Sequence, residues 1–118
     1  MDLSKFHLIE QANQVSGVIW EEVKKWNYFE KNTVGGQLTR AADSIAANLS
    51  EAHGRYSFPD RKRFAFYARG SLCETTNWIE ISIQRKLIEE KQGKEMIMEL
   101  QNLSIQINRY IRYLNKMS

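Results

Sequence analysis

The stretch that decides the fold runs from residue 96 to residue 117 and reads MIMELQNLSIQINRYIRYLNKM. One series of residues in it recurs every three or four positions: Ile97, Leu100, Ser104, Ile107, Ile111 and Leu114. A second series on the neighbouring flank repeats every seven positions: Met96, Leu103, Tyr110 and Met117. A broad apolar stripe with this period is typical of a helix that packs one side against a bundle core. The stretch therefore predicts a long core-facing helix at the carboxyl end of the chain.

The same spacing predicts three more helices upstream. A first helix is expected over the apolar positions from Ile9 to Trp26, a second from about Gln37 to Ala52, and a third from about Ser57 to Leu87. Short connections between helices favour antiparallel neighbours. The sequence therefore predicts a single domain over residues 1–118 with an all-α fold, an antiparallel up-down-up-down four-helix bundle.

The predicted connections carry their own signals. Residues 30–36, which include two consecutive glycines, are expected to form a loop and the entry to the second helix, and residues 89–93 the last turn. Gly54 is expected to end the second helix, because glycine readily takes the left-handed conformation just past a helix end. Ser57 is expected to cap the third helix, and Asp60 to favour its positive end.

Small residues are frequent on the core faces of the two middle helices. The second helix is expected to face the core with Leu38, Ala41, Ala42, Ile45, Leu49 and Ala52, and the third with Phe64, Tyr67, Ala68, Leu72, Thr75, Ile79 and Ile83. Small side chains let two helix axes approach closely. Close packing inside one bundle is one interpretation, and close contact with another subunit or a ligand is the other.

The composition indicates a folded single-domain protein and bears on its cellular location. Of 118 residues, 42% are hydrophobic and 26% are charged, which is ordinary for one globular domain. The single cysteine excludes an internal disulfide and fits a reducing environment. The first seven residues contain an acid and no apolar run, unlike a signal peptide, and no stretch reaches the ~18 apolar residues of a membrane span. We expect a soluble cytoplasmic protein with no membrane partner.

The chain offers few groups with which to build a catalytic or metal site. His7 and His53 are its two histidines, and no Glu-x-x-His repeat of a di-metal bundle occurs. Neither does a phosphate-binding glycine loop. Cys73 is expected to be a small buried residue rather than a nucleophile. We therefore expect no catalytic residue, no metal ligand and no cofactor, and a protein that is not an enzyme.

Positive charge is concentrated in one part of the chain. The net charge is only +3. Five cations nevertheless fall between positions 55 and 69: Arg55, Arg61, Lys62, Arg63 and Arg69. Cations at a helix start oppose the helix dipole, so their presence there favours an anionic ligand such as phosphate. These five residues are the candidate nucleic-acid-binding residues, and a merely solvated helix face is the alternative. Tyr56 and Phe58 lie among them and either stack on bases or pack the connection onto the core.

Three further charged residues are candidates for structural ion pairs. Glu51 lies one helical turn from Arg55, and Glu74 lies about one turn from Arg69. Arg40 falls on the same face of the second helix as Glu51. Ion pairs that fix helix register or a subunit contact explain these residues better than a catalytic acid pair, which needs a pocket and a third partner.

Aromatic residues indicate that the bundle has contact surfaces. Trp20, Trp78 and Tyr113 are too many large rings to fit together in a core one layer deep. Exposed tryptophan and tyrosine are enriched at protein interfaces. We therefore expect a homo-oligomer.

Two motifs in the middle of the chain resemble a known family. Residues 37–55, QLTRAADSIAANLSEAHGR, resemble the pattern Q-x-x-R-A-x-x-S-I-x-x-N-I-A-E-G-x-x-R, with Ser50 and Ala52 in place of its alanine and glycine. Residues 64–74, FAFYARGSLCE, resemble F-x-x-x-A-x-G-S-x-x-E. These are patterns of the bacterial four-helix-bundle family encoded in ribosomal RNA intervening sequences. That family is also labelled ribosomal-protein-like, and its relatives include the accessory variability protein of retroelements.

The resemblance implies a ring-like homopentamer, association with structured RNA or DNA, and no enzymatic activity. By position, the motifs include Arg40, Asn48, Glu51, Arg55, Arg69, Gly70, Ser71 and Glu74. The retroelement relatives are strongly basic, whereas this chain carries a net charge of +3.

Two hypotheses for function follow. The first is a homo-oligomeric helical protein that binds structured nucleic acid, RNA in preference, through phosphate contacts. The alternative is a protein-interaction scaffold whose oligomeric ring docks a protein partner and has no nucleic-acid role.

Overall fold

A computed structural model describes the backbone of residues 3–117 and the side chains of residues 7–117. Four long helices make up most of this range: α1 (Leu3–Val23), α3 (Gly36–Gly54), α4 (Phe58–Gln84) and α5 (Glu90–Met117). A short helix, α2 (Tyr28–Glu30), precedes a π-helical turn at Lys31–Gly35. The described backbone contains no strand, so the predicted all-α fold is confirmed. The expectation that the chain begins without a signal peptide concerns an amino-terminal segment partly outside the described residues.

Contacts between neighbouring helices give the four long helices an up-down-up-down order. Asp43 of α3 accepts a hydrogen bond from the Ser16 hydroxyl of α1. Arg69 of α4 donates to Asn108 of α5 at 3.2 Å. Of the neighbouring pairs of long helices, α3 and α4 share the most extensive contact and α1 and α5 the least extensive. The resulting bundle measures 46 × 24 × 19 Å, and none of its described helices meets the length and apolarity needed to cross a membrane.

The core contains the residues that the helical period selects. The buried side chains include Ile19 of α1, Leu38 and Ile45 of α3, Ile79 of α4, and Leu100, Ile107 and Leu114 of α5. Burial of such a side chain stabilises the fold by ~1.5–3 kcal/mol relative to its exposure. The predicted core-facing position is wrong for two residues of the stripes, since Tyr67 is 50% exposed and Met117 is 48% exposed. Trp26 is buried as expected, but α1 ends three residues earlier, at Val23.

The predicted loop over residues 30–36 is wrong, because this segment is helical and runs directly into α3. Its first turn is capped by Asn27, whose Oδ1 accepts from the Glu30 N–H at 3.0 Å. Gly35 is buried, and a Cβ placed on it would lie 2.8 Å from Val23 Cγ1. A glycine is therefore present here because α1 packs too closely for a side chain, and not because the chain turns.

The predicted last turn is also displaced. The chain turns at residues 85–89, and α5 begins at Glu90, so Gly93 is helical. A Cβ on Gly93 would lie 2.4 Å from Ile83 Cδ1, so this second glycine likewise permits close packing between α4 and α5. The left-handed position in the turn belongs to Lys86, with a φ of 61°.

The connection between α3 and α4 lies where the sequence predicts it, but Gly54 does not end α3 in the predicted conformation. Gly54 is the last residue of α3, yet the chain leaves the helix through extended backbone at Arg55 (φ −79°, ψ 147°), and no glycine of the described residues has a positive φ. The expected left-handed glycine is therefore wrong. The cap of α4 is confirmed: Ser57 Oγ accepts from the Asp60 N–H at 3.2 Å, and Asp60 lies in the first turn.

Small residues bring α3 and α4 together. Ala41 and Ala42 of α3 and Ala65 and Ala68 of α4 are buried, and these two helices are in extensive contact, which supports the interpretation of close packing within one bundle. Gly70 differs from them, since it is exposed and no atom lies within 4 Å of the position of its missing Cβ.

Candidate nucleic-acid interface

The connection between α3 and α4 brings two of the predicted cations together. Arg61 Nε donates to the Arg55 carbonyl oxygen at 2.6 Å, so the arginine side chain ties the start of α4 to the end of α3. The Arg61 guanidinium carbon lies 5.3 Å from the centre of the Phe58 ring, and that of Arg55 lies 4.5 Å from the centre of Phe64. Contacts of a cation with an aromatic face contribute ~0.5–1 kcal/mol at exposed sites. Both arginines are therefore held in place by the protein itself.

Acidic neighbours offset part of the charge. Glu51 Oε1 accepts from Arg55 Nη2 at 2.7 Å, and Asp60 Oδ1 accepts from Arg63 Nη2 at 3.1 Å. The side chains of both pairs are 39–53% exposed, so each pair contributes no more than ~1 kcal/mol to stability. Lys62 is part-buried and forms no ion pair with any residue whose side chain the structure describes.

Arg69 extends the cationic surface along α4. It lies seven residues after Lys62, which is about two helical turns or ~10 Å along the axis on the same side of the helix. Its Nη1 donates to Asn108 Oδ1 of α5 at 3.2 Å, and its guanidinium carbon lies 4.8 Å from the centre of the Phe66 ring. The Arg69–Asn108 contact also fixes which part of α5 lies beside the start of α4.

Further cations reach this surface from α5, outside the run from Arg55 to Arg69. Because α5 runs antiparallel to α4, and position 108 lies beside position 69, the last turns of α5 lie alongside the first turns of α4. Those last turns carry exposed Arg109, Arg112 and Lys116. The available signal was the absence of any acid after Glu99. We call the combined surface the basic end; it comprises Arg55, Arg61, Lys62, Arg63, Arg69, Arg109, Arg112 and Lys116.

At the opposite end of the bundle, where α1 ends and α5 begins, positive and negative side chains pair with each other. Three of its lysines pair with carboxylates on their own helix or connection: Lys24 with Glu21 at 3.4 Å, Lys25 with Glu22 at 3.6 Å, and Lys94 with Glu90 at 2.9 Å. Charge is thus balanced at one end and largely positive at the other. Such an uneven distribution produces a local field that attracts anions even when the net charge is small.

The residues predicted for ion pairs have different surroundings. Glu51 pairs with Arg55, whereas Glu74 Oε2 accepts from the Trp78 indole N–H at 3.3 Å rather than from Arg69. Arg40 is exposed, and no ion pair joins it to another side chain in the described range. Glu51 and Glu74 thus have different partners, Arg55 for the first and Trp78 for the second.

Cys73 is exposed, so the prediction of a buried cysteine is wrong. Within the described residues, no group of three or more His, Cys, Asp and Glu side chains is placed to hold a metal ion.

A second surface feature lies between α1 and α5. An open groove of about 820 Å³ has Val15 and Val18 on one wall, Met96 and Leu103 on the other, and a polar rim that includes Arg109. Trp20, which is 54% exposed, also lies on α1. Trp78 and Tyr113 are part-buried, so the expectation that not all three rings fit inside the core is confirmed.

By its fold and its basic end, the protein is a small antiparallel four-helix bundle with cations concentrated at one end. The chain belongs to the 23S rRNA-intervening sequence protein family, whose model matches residues 4–109. The resemblance seen in the two sequence motifs is thereby confirmed.

A solved structure has the same fold. A protein of unknown function from the S23 ribosomal protein family of Bacteroides thetaiotaomicron matches with a TM-score of 0.83 over 92% of this chain and 97% of its own. The two sequences are 20% identical, so this likeness concerns the fold alone. No curated protein shows a significant match to the chain.

Proposed function

We propose that this chain is a non-catalytic, homo-oligomeric cytoplasmic protein that binds structured nucleic acid, RNA in preference to DNA, through phosphate contacts at the basic end. The observation that carries the proposal is the convergence of cations from two helices, α4 and α5, on one end of the bundle. The family description, which names an intervening sequence of 23S ribosomal RNA, is the support for proposing RNA in preference to DNA.

The individual cations differ in how they serve such a site. Arg61 and Arg55 are engaged by the protein and position the connection. Lys62, Arg112 and Lys116 form no ion pair within the described part of the chain and are the residues best able to exchange water for phosphate oxygens. Neutralised phosphates release counterions, which makes such binding strongly dependent on salt.

Oligomerisation increases the affinity that a weak site provides. One basic end offers only a few free cations, and copies held together in a ring bind the same nucleic acid with much higher avidity. We propose the homopentamer that the family resemblance implies as the assembled form.

The test is a salt titration with charge-matched variants. The first variant carries Lys62→Ala, Arg112→Ala and Lys116→Ala. The control carries Lys31→Ala, Arg85→Ala and Lys91→Ala, which removes the same charge from exposed positions outside the basic end. Fluorescence polarisation measures the affinity of each for labelled structured RNA and duplex DNA across a range of salt concentrations, and light scattering gives the subunit number of each sample.

The expected result is a steep fall of wild-type affinity with salt. For each protomer in contact with the nucleic acid, three lost phosphate contacts reduce the slope of log K against log salt by about 2 to 3, because each contact contributes ~0.7 on a single strand and ~0.9 on a duplex. The control is expected to keep the wild-type slope. Equal slopes for the two variants would refute the basic end as the site, and absence of wild-type binding even at low salt would refute nucleic-acid binding altogether.

The groove between α1 and α5 favours a second candidate, a scaffold that docks a protein partner. The exposed apolar side chains that line the groove, Val18 and Ile105, suit an apolar surface better than a phosphate. Docking there would change little with salt, because burial of apolar surface involves no counterion release. The salt titration therefore separates the two candidates.

A further inference from the structure

Tyr56 is the most exposed of the large hydrophobic side chains in the described range. Its side chain is 98% exposed, and it lies between the end of α3 and the cap of α4. The neighbouring aromatics of the connection are placed differently, since Phe58 and Phe64 are part-buried and pack against the core. Of the two aromatics that the sequence left open between stacking and packing, Phe58 therefore packs and Tyr56 does not.

The backbone that carries Tyr56 is held on both sides. Arg55 is fixed by its ion pair with Glu51 at 2.7 Å and by the Phe64 ring, and its N–H donates to the Ala52 carbonyl oxygen at 3.3 Å. Arg61 reaches across the connection to the Arg55 carbonyl oxygen at 2.6 Å. The exposed ring is thus carried by a connection whose backbone is held in place by Arg55 and Arg61.

An exposed aromatic ring beside cations is the arrangement with which proteins hold unpaired nucleotides. Bases stack on the ring face, and the cations contact the phosphates on either side. A base inside a duplex offers only its edges, because both of its faces are covered by neighbouring base pairs, whereas a base in a loop or bulge offers a free face.

We infer that Tyr56 stacks on one unpaired base of the nucleic acid bound at the basic end, so that the preferred ligand is a hairpin or bulged RNA with an unpaired nucleotide next to a helical stem. This inference rests on the proposed function and specifies the class of ligand for that site. Phosphate contacts from the basic end hold the stem, and Tyr56 selects for the loop.

The test compares a hairpin RNA that has 2-aminopurine in its loop with a blunt duplex RNA of the same stem sequence. Four proteins are measured: wild type, Tyr56→Ala, Tyr56→Phe and Tyr28→Ala. Tyr28 is the matched control, because it is 83% exposed and lies on α2, away from the basic end. Since the Tyr56 side chain makes almost no contact with the bundle, circular dichroism is expected to show unchanged folding of both Tyr56 variants.

Wild type is expected to bind the hairpin more tightly than the duplex by roughly 5- to 150-fold, the range spanned by stacking of one base on an aromatic ring. Tyr56→Ala loses this preference and the quenching of 2-aminopurine, while Tyr56→Phe and Tyr28→Ala keep both. If Tyr56→Ala binds the hairpin as wild type does while affinity still falls with salt, the stacking inference is wrong and phosphate binding stands. If wild type binds neither RNA at low salt, both the stacking inference and the proposed function are wrong.

Discussion

Substitution of glycine by alanine is expected to have opposite effects at two helical positions of this bundle. Gly17 is exposed on α1, and apart from its chain neighbours and the backbone of its own helix no atom lies within 4 Å of the position where a Cβ would stand. Gly93 is buried in the first turn of α5, where the same Cβ would lie 2.4 Å from Ile83 Cδ1 and 2.5 Å from Ile83 Cγ1. The local chemistry of the substitution is identical, so any difference in its effect comes from packing.

The magnitudes follow from these distances. Alanine in a helix is more favourable than glycine by ~0.5–1 kcal/mol, so Gly17→Ala is expected to raise the free energy of unfolding by that amount. Carbon atoms prefer a separation of ~3.5–4.0 Å, so Gly93→Ala forces Ile83 or the α5 backbone to move by about 1 Å. Such overpacking costs ~1–3 kcal/mol, which exceeds the gain in helix propensity. Gly93→Ala is therefore expected to lower the free energy of unfolding by ~1 kcal/mol.

Urea denaturation followed by circular dichroism measures both changes, and a double-mutant cycle identifies their cause. Ile83→Ala removes both atoms that the new Cβ would meet. In that background Gly93→Ala is expected to stabilise the protein, with a coupling free energy of ~1–3 kcal/mol between the two sites. If Gly93→Ala is as stabilising as Gly17→Ala, the close approach of α4 and α5 is wrong. A destabilisation that persists unchanged in the Ile83→Ala background would show that Ile83 is not its cause.

Two further predictions concern the turn between α4 and α5 and the start of α5. Lys86 has a φ of 61°, so Lys86→Gly is expected to relieve backbone strain and raise the free energy of unfolding by ~0.5–1 kcal/mol, whereas Arg85→Gly, at a φ of −85°, is expected to lower it in the same urea experiment. A hydrogen bond from Lys94 and the charge of its ammonium group lower the pKa of the Glu90 carboxyl. Because the pKa is lower in the folded state, the small stabilisation by this exposed pair is present above the ordinary carboxyl pKa and disappears as pH falls through the lowered value. A carboxyl NMR titration is expected to show the Glu90 pKa rising in Lys94→Met, and an unchanged value would contradict the assigned cause.

Only part of the basic end can be predicted from the sequence. The cations from Arg55 to Arg69 are close in the chain, so counting charges along the sequence selected them. Arg112 and Lys116 are far away in the chain, and only the antiparallel register fixed by Arg69 and Asn108 brings them to the same end. The ion pair between Glu51 and Arg55 could likewise be predicted from the sequence, because Arg55 lies four residues after Glu51 at the end of α3.

The errors at glycine and cysteine have one physical origin. The frequency of glycine in connections predicts a loop at Gly35 and a turn at Gly93, yet both are helical and lie where another helix approaches within contact distance. The usual burial of cysteine predicts Cys73 in the core, yet its position on α4 is exposed. The intrinsic preference of a residue carries no information about which neighbour it meets.

The sequence by itself determined the four long helices, their core-facing sides, the Ser57 cap and the family, because helical period, capping chemistry and motif spacing are local properties of the chain. The tertiary structure alone decided which glycines permit close packing, which cations share an end, and which of two adjacent aromatics packs and which projects into solvent. These features depend on the register between helices distant in sequence, and that register is set by the packing of the whole core.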